Sequence, residues 1–149
     1  MDFQITSEQR SLLDATERIC RGLLPLAQEA HESGTLESLA RLRKQMAADG
    51  LLGLNLPQAY GGMGLPLLDT LLVIQAVQKI DSTMGGLAHR TSTGAVGAVL
   101  ELGNAQQKEA FVGGVARGEF GIGIGISEPE AGSAATALRT RARVEGDDV

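Results

Sequence analysis

One cysteine and two histidines are the only thiol and imidazole groups among 149 residues. A closed zinc site takes about four protein ligands, and no carboxylate pair stands at metal-binding spacing on one helix face, so no metal centre is expected. Cys20 has no second thiol to pair with; among apolar neighbours at helical spacing it reads as a core residue and fits a reducing compartment. Positive charge is short as well. With 13 basic against 18 acidic residues the formal net charge is −5, which leaves the phosphate neutralisation behind nucleic-acid binding without a source. The first residues lack the basic stretch and apolar run of a targeting segment, and no run approaches the roughly 20 apolar residues of a membrane helix. A cytoplasmic protein without a membrane span is the expectation. Neither nucleotide-binding glycine motif occurs: no Gly-Lys-Ser/Thr follows a glycine loop, and the glycines from Gly121 to Gly125 lead into a turn rather than a helix.

What the sequence does have is helical period. Thr6 and Gln9 stand at capping-box spacing, and Leu12, Thr16, Ile19, Leu23 and Ala27 follow on one stripe. Pro25 lacks an amide hydrogen, so this helix should kink or restart there before ending near His31, which reads as a surface residue. Thr35 suits the cap of a second helix with an inner stripe of Leu36, Leu39, the Arg43 stem, Met46 and Ala47, closed by Gly50. From Leu51 to Gly64, Pro57, Gly61, Gly62 and Gly64 rule out a helix and indicate a long structured loop. Leu67 to Ile80 is apolar nearly all round, the pattern of a helix surrounded by others.

After Asp81-Ser82, helical period returns in Met84, Leu87, Ala88, Thr91, Ala95, Ala98, Val99 and Leu102. Gly85, Gly86, Gly94 and Gly97 lie in the same segment, each costing about 1 kcal/mol relative to alanine. Two accounts stand: close packing of helix backbones, or room for a ligand chain. His89, beside Arg90, reads either as a solvated edge residue or as one facing a ligand. Asn104 with Gln107 caps a last helix, with Phe111, Val112 and Val115 inward and Gly118 at its end.

The period then changes to two. Phe120, Ile122, Ile124 and Ile126 alternate with glycines, a strand with one bare face open to a backbone or ligand. A second strand with an arginine-rich, solvated face is expected over Thr136 to Val144, followed by the turn signal Glu145-Gly146-Asp147-Asp148. Two strands do not bury an apolar face unaided, so the chain reads as a piece of a larger assembly. Between the strands, Ser127 and Ser133 bring hydroxyls, and Gly132 lets backbone amides approach a flat or anionic group. Taken alone, a serine-rich turn is usually only a turn.

The same stretch carries a resemblance. Ile124-Gly-Ile-Ser-Glu-Pro-Glu-Ala-Gly-Ser133 resembles the flavin signature of the acyl-CoA dehydrogenases, aromatic-small-aliphatic-Thr-Glu-Pro-x-Ala-Gly-Ser-Asp. Further features stand in the family's order: the Gly50-Leu-Leu-Gly-Leu-Asn-Leu-Pro57 to Tyr60-Gly-Gly-Met-Gly64 loop, the Gly103-Asn-Ala-Gln-Gln-Lys108 helix start, and Ala116-Arg-Gly-Glu119. Together they span nearly the whole chain.

The resemblance implies a mainly α fold: a helical bundle over residues 1–118, then the first strands of a middle β-barrel domain over 119–149, incomplete here. A C-terminal helical bundle normally follows, with FAD between the two. An acyl-CoA or other acyl thioester is the implied substrate. By carry-over, Ile124, Ile126 and Ser127 line the flavin ring, Ser127 bonding its polar edge, while Gly132 and Ser133 contact the flavin phosphates or the thioester. Met84, Leu87, Ala88, Thr91 and Ala95 line the acyl pocket, which turns the glycines toward making room for substrate. The implied reaction is α,β-dehydrogenation, in which a carboxylate takes the α-proton and the β-hydride passes to the flavin. In the family the base is a glutamate of the C-terminal domain. No catalytic residue is therefore assigned here, and a homo- or hetero-oligomer with a chain supplying that domain is implied.

Three positions depart from the pattern. Ser127 keeps the hydroxyl of the usual threonine, Ala134 lacks the usual aspartate, and Ile124 stands where an aromatic is common. The lost carboxylate and the absent base support a second reading, a non-catalytic assembly module on the same fold; a third is a thioester borne by a carrier protein. Flavin retention separates the first two. If the glycine-rich helix lines the acyl pocket, Gly94→Leu in the complete enzyme impairs long substrates more than short ones; equal loss in steady-state kinetics points to packing.

Overall fold

The computed structural model describes residues 4–143. Helix α1 (Ser7–Ser33) starts at the expected capping box: the Thr6 hydroxyl accepts from the Gln9 amide at 3.2 Å, and the Gln9 side-chain oxygen accepts from the Thr6 amide at 3.1 Å. Helix α1 continues through Pro25 without the restart that was one of the two expected outcomes. The proline forfeits one backbone bond, while Cys20, Leu23, Ala27 and Ala30 are buried on both sides of it. Burial first, and the Asp81 charge second, push the Cys20 thiol up to about 11, as suits an inert core thiol.

Thr35 caps α2 (Leu36–Ala48), its hydroxyl accepting from the Ser38 amide at 3.3 Å, and Gly50 turns the chain beyond it at φ +73°. Met46 is buried as expected and Leu39 and Ala47 pack on the core, but Ser38 and Leu42 complete the buried stripe, whereas Leu36, expected inside, is 85% exposed. Hydroxyls of Ser33, Thr35 and Ser38 bond one another across the turn and draw Ser38 inward.

Residues 51–64 contain only a single 3-10 turn, Gln58–Tyr60, yet Leu51, Leu52, Leu54 and Leu56 are all buried. The Gly53 amide donates to Thr91 Oγ1 at 3.4 Å and the Leu54 amide to Ser92 Oγ at 3.0 Å. Leu51, Leu52 and Leu54 join a first core with α1, α2, α3 (Leu67–Ile80) and α4 (Ser82–Ser92); Leu56 enters a second core. Helix α3 packs on α1 and α4 only along one side, and Leu67, Leu68 and Leu71 stay exposed, so it is not surrounded as its composition suggested.

The glycine-rich segment is two helices rather than one. Gly94, at φ +84°, separates α4 from α5 (Ala95–Leu102), in a conformation other residues rarely adopt. A leucine there would strain the backbone, so the substrate-length comparison is cleaner at Ala95. The four glycines also divide by role. A Cβ at Gly85 would lie 2.7 Å from Gln78 Cα, a close helix crossing; at Gly94 and Gly97 it would meet nothing within 4 Å, and at Gly86 only the Arg90 guanidinium.

Asn104 and Gln107 form a second capping box at α6, in which Ala105–Gln107, Lys108–Gly113 and Gly114–Ala116 follow without a break, the middle six residues in wider π winding. Val112 and Val115 face the second core with Leu56 and Val96, whereas Phe111, expected inside, is 45% exposed.

Among the described residues no strand forms; the only pairing is an isolated antiparallel bridge, Glu128 to Ala131, and Ala135–Ala137 is a 3-10 turn. The strands expected over 120–126 and from 136 onward are therefore not seen. A strand exists through the amides and carbonyls of a neighbour, and one of these segments has glycine at every second position. Val144 and the turn signal after it lie outside the described residues.

Opposite outcomes are expected at two of the helical glycines. Gly85→Ala should destabilise by about 1–3 kcal/mol through overpacking, whereas Gly97→Ala should stabilise by up to about 1 kcal/mol through helix propensity. Thermal denaturation of the two variants checks the pair.

Candidate functional site

The site begins where the chain leaves α6. Gly118 turns it at φ +68°, and the Arg43 guanidinium donates to the carbonyls of Gly118 at 3.0 Å and Glu119 at 3.1 Å, so α2 holds the exit. Phe120 and Ile122 pack on the second core; the Phe120 ring stands edge-on to Phe111 at 6.3 Å, over Gly114, where a Cβ would come within 2.5 Å of it. Beyond Ile122 the chain lifts off. Ile124 and Ile126 are 66% and 50% exposed, and a Cβ at Gly121, Gly123 or Gly125 would meet nothing within 4 Å.

A tight turn follows. The Glu128 amide donates to the Ala131 carbonyl at 3.0 Å and the Ala131 amide to the Glu128 carbonyl at 3.1 Å, closing Pro129-Glu130 between them. The Glu128 carboxylate accepts from the amides of Arg139 and Thr140, each at 2.8 Å, and from the Thr140 hydroxyl. Glu130 pairs with Arg139 at 2.5 Å. Both carboxylates thus tie the turn to the returning chain, where Ala134 has none to offer. Hydrogen bonds to the charged form, the Thr140 hydroxyl first and the two amides next, hold the Glu128 carboxyl below its ordinary value. Ser127 and Ser133 are exposed, with hydroxyls unpartnered among the described residues, and Gly132 faces open space.

The expected acyl-pocket residues separate into two groups. Met84, Leu87 and Ala88 are buried in the first core, and the buried Thr91 hydroxyl donates to the Leu87 carbonyl at 2.8 Å while receiving the Gly53 amide. Ala95 instead lines a cleft of about 370 Å³, with His89, Arg90, Thr93 and Gly94 on the helical side and Ile122, Gly123 and Ile124 on the other. The fold thus brings Ala95 and Ile124 together, with Met84, Leu87, Ala88 and Thr91 behind them. Arg90 was not singled out by sequence reasoning, and His89 was left between two readings; the available signal was their position one turn from both Gly86 and Gly94. Among the described residues no group of three or more acidic, histidine or cysteine side chains is placed to hold a metal.

Among the described residues a helical body, a hydrogen-bonded turn and a cleft beside them define a class, and comparison with known proteins assigns it. Residues 6–119 match the family model described as acyl-CoA dehydrogenase, N-terminal domain, and the chain belongs to the acyl-CoA dehydrogenase family. It is 34% identical to a 3-sulfinopropanoyl-CoA desulfinase of Paraburkholderia xenovorans over 97% of this chain and 37% of that protein. To the mitochondrial isovaleryl-CoA dehydrogenase of Bos taurus it is 29% identical, over 96% of this chain and 34% of the relative. A chain of the ChsE4-ChsE5 complex from Mycobacterium tuberculosis superposes with a TM-score of 0.81 at 28% identity, covering 99% of this chain and 37% of that one. The chain therefore spans little more than a third of the length of these relatives.

The Glu128 tie has a definite pH sign. Because the carboxyl is held low in the fold, its contribution is complete above the ordinary value of 4.5 and is lost as pH falls through the lower folded value. The amide shifts of Arg139 and Thr140, followed by NMR, should hold steady at neutral pH and move on acidification below that point; Glu128→Gln should move both at neutral pH.

Proposed function

We propose that the chain forms the helical wall of a thioester site and one face of a flavin site in an FAD-dependent acyl-CoA dehydrogenase. The observation that carries this reading is the signature turn beside the cleft, uncovered among the described residues: exposed Ile124 and Ile126, Ser127 and Ser133 without partners there, and glycines facing open space. Such a surface fits a flat, largely apolar ring with a polar edge. The family binds FAD, which when bound supplies an acceptor for a hydride from the thioester β-carbon.

In this reading Ile124 and Ile126 exclude water from one side of the ring and the Ser127 hydroxyl bonds its polar edge. Gly132 and Ser133 hold the flavin phosphates or the thioester. Ala95 meets the acyl group directly, and Met84, Leu87, Ala88 and Thr91 fix the wall behind it. Residues 1–118 act as the helical domain and 119–149 as the start of a β-domain, whose segments become strands when barrel partners complete the ladder. A carboxylate from a homo- or hetero-oligomeric partner, or from a further domain, takes the α-proton. Work in the cytoplasm is part of the reading, in keeping with the free buried thiol; among the described residues no helix is long and apolar enough to cross a membrane.

A second reading rests on the desulfinase relative, whose name denotes a reaction other than dehydrogenation on a CoA thioester. The two share the thioester site and differ in net electron transfer, so product analysis separates them. An assembly module without catalysis predicts neither.

The visible spectrum of the protein, incubated with FAD and desalted, tests the flavin part. Retained absorbance is expected with the completing chain present and should fall in Ser127→Ala; a folded, assembled protein that stays colourless overturns the reading. For the acyl part, Ala95→Leu should lower kcat/KM for an eight-carbon acyl-CoA about tenfold more than for a four-carbon one, as expected when a branched side chain occupies pocket volume.

A further inference from the structure

Resting on the CoA-thioester reading, we propose that Arg90 selects acyl groups whose far end carries a negative charge, such as a carboxylate. The walls of the 370 Å³ cleft are mostly apolar, and Arg90 and His89 are the only ionisable side chains lining it. Among the described residues no carboxylate lines the cleft with them. The Arg90 side chain makes no hydrogen bond or ion pair among the described residues; Arg10, Arg18 and Arg141 likewise lack an acidic partner there, but none of them lines this cleft. In a chain with more acids than bases, an arginine left without one beside an apolar cleft has a recognition geometry to offer.

The competing account is helix electrostatics, since cations are favoured in the last turn of a helix. Arg90 and His89 do occupy the last turn of α4. That effect is served equally by a side chain on any solvated face, and it leaves unexplained why the cation borders a cavity. The guanidinium also lies within 3.5 Å of where a Gly86 Cβ would be, and Gly94, in the junction just beyond α4, leaves space open. The charge is therefore planted on α4, with room beyond it. Guanidinium matches carboxylate bidentately, and an apolar surround strengthens such a pair once water is displaced. A neutral acyl end would leave the cation in the cleft without a partner.

The test compares butyryl-CoA, succinyl-CoA and free CoA by calorimetry on the assembled, flavin-loaded protein. All three share the nucleotide phosphates, and the first two share four acyl carbons. The expected result is that succinyl-CoA binds about tenfold tighter than butyryl-CoA, that Arg90→Met abolishes or reverses the preference, and that Arg90→Lys keeps part of it. Circular dichroism checks that the variants, changed at an exposed position, retain the fold. Equal binding of the two thioesters, or a preference unchanged in Arg90→Met, overturns the proposal and leaves the CoA-thioester reading intact. Equal weakening of all three ligands in Arg90→Met overturns it too, assigning Arg90 to the CoA phosphates. If neither butyryl-CoA nor free CoA binds, the thioester reading falls and this proposal with it.

Discussion

The hydroxyls of Thr91 and Ser92, buried at the end of α4, receive the amides of Gly53 and Leu54 and so determine where an irregular loop enters the interior. A buried amide without an acceptor costs about 1–3 kcal/mol. Supplying acceptors from side chains lets four leucines reach the core from a segment with no regular backbone pairing. Leu51, Leu52 and Leu54 belong to one core and Leu56 to the other, so the same two hydroxyls join the halves of the molecule. The cleft opens immediately after them, at Thr93 and Gly94, which places the candidate site beside the junction of the two cores.

Features fixed by local chemistry were legible in the residues. Thr6 with Gln9, Thr35 and Asn104 with Gln107 each mark a helix start, because a cap needs only side chains and amides a few positions apart. What depends on distant partners was not. The alternation from Phe120 to Ile126 has the period of a strand without a ladder to join. The leucines of α3 have the composition of a central helix, but packing on two neighbours leaves one face open. Pro25 was read as a kink or a restart because its lost bond is visible in sequence, while the burial that keeps α1 continuous through it is not.

The candidate site was legible to the same degree. The turn from Ser127 to Ser133 stood out through its family resemblance, yet its internal order comes from Glu128 reaching Arg139 and Thr140, eleven and twelve positions onward. No periodicity announces such a tie. The stripe expected to line an acyl pocket, Met84, Leu87, Ala88 and Thr91, is the one a core also selects, and it is buried. On α4 the cleft is bordered instead by His89 and Arg90, on the opposite stripe with Gly86, where polar character conceals them from a search for apolar faces.

The π winding of Lys108–Gly113 carries a consequence for how this family can vary in length. A π turn accommodates one residue more than an α turn would over the same rise. Deleting a residue within it would therefore be absorbed by regular α winding, whereas deleting one from the α-helical turn of Gly114–Ala116 would rotate everything downstream by about 100°. The first change spares the register of Val115 and the Phe120 plug; the second turns both away from the core. Sequence gaps among relatives should thus gather inside the wide turn and avoid the narrow one beside it.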